Sequence, residues 1–320
     1  MTSYSQLKNL LTPNKPVLIV THQFPDVDAI GSCLALYLQL KKQGIPAKVW
    51  SADFTPKDFK FLPDFKDIVT EFPKSFSFST LCVLDCSSLQ RVKNHSIIPI
   101  KDDTTIVNID HHIDNSKFGH INFVQDISSV GELLTCIFKE FNWNVTADIA
   151  TCLYAAISFD TGRFLYSNST SQTFSLVSSL LNSGARSFQT NIAMYEDVCG
   201  DTFNYIKIGL DNLIINEKLG YCYTFLSKES PKVNYKMIDF IRQLGNIDVF
   251  LVFSELDTNL TKISLRSKQF FDVSTFSHQF GGGGHARASG ISMNGSASKI
   301  IEKICTALES ALTAQLNSNV

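Results

Sequence analysis

A chain of 320 residues, 44% hydrophobic and 18% charged, can bury two cores and has the balance of a soluble globular protein. A net charge of −2 gives none of the positive field of a protein that coats long nucleic acid, and no apolar stretch is long enough to span a bilayer. Residues 1–15 lack the basic region, apolar core and cleavage site of a signal peptide, and the eight cysteines form no CxxC pair, which points to reduced thiols in the cytoplasm and against structural zinc.

Taken in chain order, Pro16–Thr21 is an apolar run that predicts a strand, followed by His22-Gln23-Phe24-Pro25-Asp26-Val27-Asp28. Ala29–Gln43 predicts a helix stopped by Gly44, and Ala47–Trp50 a second strand. Leu81–Leu84 is a strand ending on Asp85, and Thr105–Ile109 is another, ending on Asp110-His111-His112. Ser129 and Glu132 have capping-box spacing at the head of a helix that runs to about Phe141. Ala147–Phe159 is helical and ends on Asp160-Thr161-Gly162; Ser171–Leu181 is helical and ends on Asn182-Ser183-Gly184. Beyond a helical crossing near residues 192–210, strands are expected over Tyr221–Leu226, Val249–Glu255 and Lys262–Ser267, and helices over Asn234–Leu244 and Ser298–Leu312. The densest punctuation is Gly281-Gly282-Gly283-Gly284-His285.

Short apolar runs alternating with helical patterns predict a parallel sheet with helices on both faces, where ligands gather beyond the carboxyl ends of the strands. His22, Asp26, Asp28, Asp85, Asp110, His111 and His112 then share one rim. Several carboxylates in one pocket need compensating cations, and imidazole with carboxylate is an ordinary donor set for first-row metals. Plainer readings compete: Asp26 and Asp28 as helix caps, Asp85 as a turn cap, Asp160-Thr161-Gly162 as a turn and the four glycines as a linker. Ser129 and Glu132 are better explained by capping than by chemistry. Split near residue 205, the first part has 16 Lys/Arg against 20 Asp/Glu and the second 12 against 10, so a nucleotide substrate should be short.

His22-x3-Asp26-x-Asp28-Ala29-Ile30-Gly31-Ser32, then Asp85, then Asp110-His111-His112, then Asp160-Thr161-Gly162, resembles the DHH phosphoesterase superfamily. Gly281–Gly284-His285-x-x-Ala288-x-Gly290 is similar to the signature of its accessory domain, and Ile263–Lys268 strengthens a likeness to bacterial nanoRNases, which act on oligoribonucleotides and on 3′-phosphoadenosine 5′-phosphate (pAp). The resemblance implies an α/β catalytic domain over residues 1–190, a linker over 191–210 and a smaller α/β substrate-binding domain over 211–320. It also implies two divalent cations, Mn²⁺ with Mg²⁺ as the alternative: His22, Asp26 and Asp85 hold one, and Asp28, Asp85, His111 and Asp160 the other. Asp85 is then the catalytic bridge, His112 meets the phosphate or protonates the leaving oxygen, and Asp110 orients the histidines. Arg266, Gly282, Gly283, Gly284, His285 and Arg287 are the expected substrate contacts. Val27 stands where many relatives have Gly, which argues against a positive φ there.

The implied partners are short single-stranded RNA or DNA and small nucleotides, not long duplex or membrane, with a homodimer left open. A phosphodiesterase for a signalling dinucleotide, pApA or cyclic di-AMP, is the runner-up enzyme. An inorganic pyrophosphatase would lack the Gly-Gly-Gly-His pattern, and a long-strand exonuclease would need more binding mass than 320 residues supply. A non-catalytic nucleotide-binding regulator would be expected to lose ligands, and none is missing.

Overall fold

The computed structural model describes residues 3–197, 199–231 and 237–318. The chain divides into two compact units, 1–197 and 198–320.

The first unit contains α1 (Ser3–Leu10), β1 (Val17–Thr21), α2 (Val27–Lys42), β2 (Ala47–Trp50), β3 (Ile68–Val69), β4 (Thr80–Leu84), β5 (Thr105–Asp110) and β6 (Ile121–Val124), then α3 (Val130–Glu140), α4 (Ala147–Asp160), α5 (Ser171–Asn182) and α6 (Ser187–Tyr195). The six strands form one parallel sheet in the order β3-β2-β1-β4-β5-β6. β1 and β4 are apolar on both faces and every residue in them is buried, as central parallel strands require. The chain runs outward from β1 in one direction and from β4 in the other, so the crevice beyond their carboxyl ends is the topological switch point.

The two faces of this sheet are covered differently. Val17, Ile19, Cys82, Leu84, Val107 and Ile109 pack under α1–α4. Leu18, Val20, Leu81, Val83 and Ile106 pack instead against Trp50, Cys86, Val92 and Ile98. Helices were expected on both faces, but among the described residues this second face carries only short 3₁₀ turns, Leu89–Arg91 and His95–Ile97. Asn94 in the left-handed region and Pro99 interrupt that connection before an α-helix can form.

The second unit contains α7 (Gly200–Asp211), β7 (Ile214–Asn216), β8 (Tyr221–Leu226), α8 (Met237–Ile241), β9 (Val249–Asp257), β10 (Leu260–Ser267), α9 (Val273–His278), β11 (Gly283–His285), β12 (Ala288–Asn294) and α10 (Ala297–Ser318). Its sheet has the order β11-β12-β10-β9-β8-β7 and is mixed: β8 and β9 are parallel, the other pairs antiparallel. Val249, Leu251 and Phe253 face α9 and α10, while Phe250 and Val252 face α8, the two-residue alternation of a sheet buried on both sides. The start of the expected helix Asn234–Leu244 lies outside the described residues.

Candidate metal centre

Each strand of the switch point delivers its polar residue within a few positions of its end. β1 stops at Thr21, and His22 opens a tight turn in which Phe24 has φ +54°. Gln23 N–H donates to Arg91 O (2.7 Å) and Phe24 N–H to Asp53 Oδ2 (2.6 Å), which fixes the turn from two sides. Asp26 caps α2 by accepting from Ala29 N–H, so the cap reading of Asp26 holds as a local role. Val27 starts the helix with no positive φ, as its β-branch requires.

Asp28 is fully buried and accepts from the Val130 and Gly131 amides, at 2.8 and 2.9 Å, and from Ser32 Oγ at 3.0 Å. Those two amides open α3, where the helix dipole favours an anion. The close approach depends on small residues: a Cβ on Gly131 would sit 2.5 Å from Ala156 Cβ, and one on Gly31 2.8 Å from Cys152 O. α2 and α3 thereby both pack on α4, whose last residue is Asp160. The partnership of Asp28 with α3 escaped the sequence reading, because a helix N-terminus 102 residues away leaves no mark in local spacing. Ser129 does cap α3, accepting from Glu132 N–H, but the expected reciprocal box is absent; the Glu132 carboxylate accepts from Ser128 Oγ and Thr173 Oγ1 instead.

Asp85 follows β4 with φ +51°, a left-handed backbone that costs a non-glycine residue of order 1–3 kcal/mol. The neighbours over-determine it: Asp85 N–H donates to Ile109 O at 3.0 Å, and Cys86 O accepts from Asn108 Nδ2 (3.1 Å) and Asn115 Nδ2 (3.3 Å). The carboxylate is buried, with Oδ2 3.4 Å from His22 Nε2 and Oδ1 3.4 Å from His111 Nε2 and 3.6 Å from His112 Nδ1. His111 Nε2 also lies 3.2 Å from Asp160 Oδ2 and 3.9 Å from Asp28 Oδ2.

Within residues 1–197 the donor atoms form three overlapping groups, His22/Asp26/Asp85, Asp28/Asp85/His111 and Asp85/Asp110/His112, and Asp85 belongs to each of these. Both His22 and His111 point Nδ1 at a backbone carbonyl, Gln23 O (2.7 Å) and Ile127 O (3.1 Å). That contact fixes the tautomer and leaves Nε2 facing the carboxylates, the arrangement a metal ligand requires. His112 is different: its Nδ1 lies 2.8 Å from Asp110 Oδ1, and Asp110 accepts from Asn115 Nδ2.

The electrostatics fit a cation. Burial opposes charge on His22, yet the hydrogen bond and charge of Asp85, with Asp26 behind, hold its pKa up at about 9. Burial likewise opposes charge on His111 and His112; Asp160 and Asp85 raise the first, and Asp110 and Asp85 raise the second. Burial, then the charges of Asp85 and Asp160, push the Asp28 carboxyl well above its ordinary range. Asp85 Oδ1 is buried and receives no hydrogen bond. A buried carboxylate oxygen met only by imidazole nitrogens at 3.4 and 3.6 Å, too long for good hydrogen bonds, suits a divalent ion.

Residues 16–157 match the DHH family, N-terminal domain, and residues 218–314 match the DHHA1 domain. The chain carries a DHH domain and a DHHA1 domain, and it is a phosphoesterase. Enzymes of this family depend on metal, and the clustered carboxylates and imidazoles are the residues able to hold it. The "Bifunctional oligoribonuclease and PAP phosphatase NrnA" of Thermus thermophilus is 28% identical over 311 residues, 93% of this chain and 90% of that protein. A Bacillus subtilis protein of the same name is 25% identical over 292 residues, 87% of this chain and 89% of that one. In fold, a solved exopolyphosphatase-related protein from Bacteroides fragilis superposes with a TM-score of 0.86 at 24% identity, covering 97% of both chains.

In the DHHA1 domain the glycine run is held by bonds within the chain. Gly281 N–H donates to His278 O (3.2 Å) and Gly282 N–H to Ser277 O (2.9 Å). Gly283 and Gly284 form edge strand β11 with His285, paired to β12. A Cβ on Gly282 would lie 2.3 Å from Gly290 O, so close backbone packing selects glycine there. Arg287 is tied inward through Nη1 to Phe271 O (2.9 Å) and Ser267 Oγ (3.4 Å). Arg266 Nε is buried without a hydrogen-bond partner, which leaves a cationic donor for a ligand.

Proposed function

We propose that this phosphoesterase hydrolyses short single-stranded oligoribonucleotides to mononucleotides and dephosphorylates pAp to AMP, with two divalent cations, Mn²⁺ in preference to Mg²⁺. The observation that carries the reading is the position of Asp85, shared by three donor groups at the switch point of the parallel sheet. The names of the Thermus and Bacillus relatives supply the substrate class.

In this reading His22, Asp26 and Asp85 hold one cation, and Asp28, Asp85, His111 and Asp160 the other. Mixed imidazole and carboxylate donors suit Mn²⁺ better than the all-oxygen sites Mg²⁺ prefers. When bound, the cations neutralise phosphoryl oxygens and make water a nucleophile at neutral pH. Backbone carbonyls keep Nε2 of His22 and His111 turned inward, and the α3 amides keep Asp28 in place. Asn115 and Asp110 orient His112, which delivers a proton from Nε2 to the leaving oxygen. On the DHHA1 domain Arg266 and His285 contact substrate phosphate, with Arg287 and Gly282–Gly284 shaping the surface that carries them. A site of this kind works in a reducing cytoplasm; the described cysteines are all unpaired.

The test is to offer the Mn²⁺-loaded protein 5′-labelled RNAs of two to twenty nucleotides, pAp, pApA and cyclic di-AMP side by side. The expected result is cleavage that is fastest on the shortest RNAs, together with release of phosphate from pAp. Turnover confined to pApA or cyclic di-AMP would replace the reading with that of a signalling phosphodiesterase.

A further inference from the structure

Phe24 lies between His22 and Asp26 and is 76% exposed, the most exposed of the large hydrophobic side chains at the metal rim. A bulky residue with φ +54° is a conformational outlier, and here it is fixed by the Gln23 and Phe24 N–H groups, which donate to Arg91 O and Asp53 Oδ2. Folding gains nothing from an aromatic ring in water on a strained backbone; asparagine or glycine would fit the turn better.

The second partner of that turn is the loop after Asp85. Gln23 N–H bonds Arg91 O at 2.7 Å, and Arg91 Nη1 donates to Ser87 Oγ at 3.2 Å, two residues beyond Asp85. Arg91 is exposed, and among the described residues no carboxylate forms an ion pair with it. An aromatic face and a guanidinium with no carboxylate partner among the described residues thus stand on two hydrogen-bonded loops of the first unit, each within a few residues of a proposed metal ligand.

We propose that Phe24 and Arg91 form a nucleotide subsite, Phe24 stacking on a base and Arg91 pairing with the phosphate next to it. The subsite rests on the substrate class proposed above and deepens it. Stacking of a base on an aromatic side chain tolerates every base, which suits an enzyme of short RNAs without sequence preference. A planar guanidinium presents two parallel donors to a phosphate. Both are positioning residues that act on binding.

The experiment uses the full chain loaded with Mn²⁺, with pApA and an analogue of pApA in which abasic ribose replaces each adenosine in turn. Phe24→Asn keeps a residue that accepts the left-handed backbone and removes the ring. It should raise KM for pApA about five- to a hundredfold, the range of one lost base stack, with a far smaller change in kcat. Its penalty should shrink on the abasic analogue that lacks the stacked base, and Phe24→Trp should restore tight binding. Arg91→Gln should raise KM on pApA and both analogues alike, by about ten- to a hundredfold for a charged hydrogen bond. A dinucleotide carrying 2-aminopurine should be quenched on binding to wild type and not to Phe24→Asn, a readout independent of turnover. Absence of turnover by wild type would count against the proposed activity, and the quench alone would then decide the subsite. Equal KM values in wild type and Phe24→Asn, equal penalties on intact and abasic probes, or an unchanged quench would each overturn the subsite.

Discussion

The two units use their sheets in opposite ways. In the first, all six strands run parallel, so every carboxyl end lies on one edge and the residues after β1, β4 and β5 meet. In the second, most neighbouring strands are antiparallel, so strand ends alternate between edges. The first unit therefore concentrates titratable groups into a site, while the second offers individual side chains such as Arg266 on a rigid frame. Strand direction alone decides whether short polar motifs far apart in sequence can act together.

Substitutions that break this contrast should differ most at Asp85. Asp85→Asn suits the left-handed backbone, so the fold should persist while hydrolysis falls by about a thousandfold or more, as the shared anion is lost. Circular dichroism and kcat/KM on a dinucleotide check both halves. Near-normal turnover in a correctly folded variant would remove Asp85 from the centre.

The adjacent histidines should separate next. His111→Ala removes a side chain whose Nε2 faces three carboxylates and should lower bound Mn²⁺ per chain. His112→Ala should keep its metal and lose about a hundred- to ten-thousandfold in kcat, as for a missing general acid. Elemental analysis after dialysis distinguishes them, and equal metal loss would show that His112 is a ligand too.

Two glycines, one in each unit, should show the same difference at a smaller scale. Gly131→Ala forces α3 away from α4 and should cost about 1–3 kcal/mol while weakening Mn²⁺ binding, because the amides on Asp28 move. Gly282→Ala meets the Gly290 carbonyl and should destabilise to a similar degree with Mn²⁺ affinity intact. Thermal unfolding beside a Mn²⁺ titration reads both, and parallel loss of affinity in the two variants would contradict the division.

The smallest effect is in pH. His22 has its pKa raised from 6.5 to about 9 in the folded metal-free protein. Its stabilising contribution is therefore fully present below about 6.5 and is lost as pH climbs through about 9. Metal-free Tm should fall over that window, while Mn²⁺ affinity should rise, since the ion competes with the proton on Nε2. His22→Asn should flatten both trends.

Much of the site was legible because its residues lie at strand ends: His22, Asp85 and the Asp110-His111-His112 triplet each follow an apolar run, and that run predicts both strand and rim. β8 matched its predicted span residue for residue. What stayed hidden depends on tertiary contact. The grip of α3 on Asp28 and the Gln23–Arg91 bond leave no periodic signal. β12 went unseen because Ala288-Ser289-Gly290 has small residues where a strand usually has β-branched ones, and β6 because Asn122 breaks a four-residue run. The packing of Gly282 against the Gly290 carbonyl was equally hidden, because punctuation in a sequence cannot distinguish a turn that binds from a turn that packs.

In the proposed site one carboxylate, Asp85, serves two cations at once. Electron paramagnetic resonance of the protein titrated with Mn²⁺ tests it most directly. Two bound ions per chain are expected, with the spectrum of a spin-coupled pair, and loss of that coupling in Asp85→Asn. A spectrum of isolated Mn²⁺ at saturation, or coupling that survives in Asp85→Asn, would contradict it.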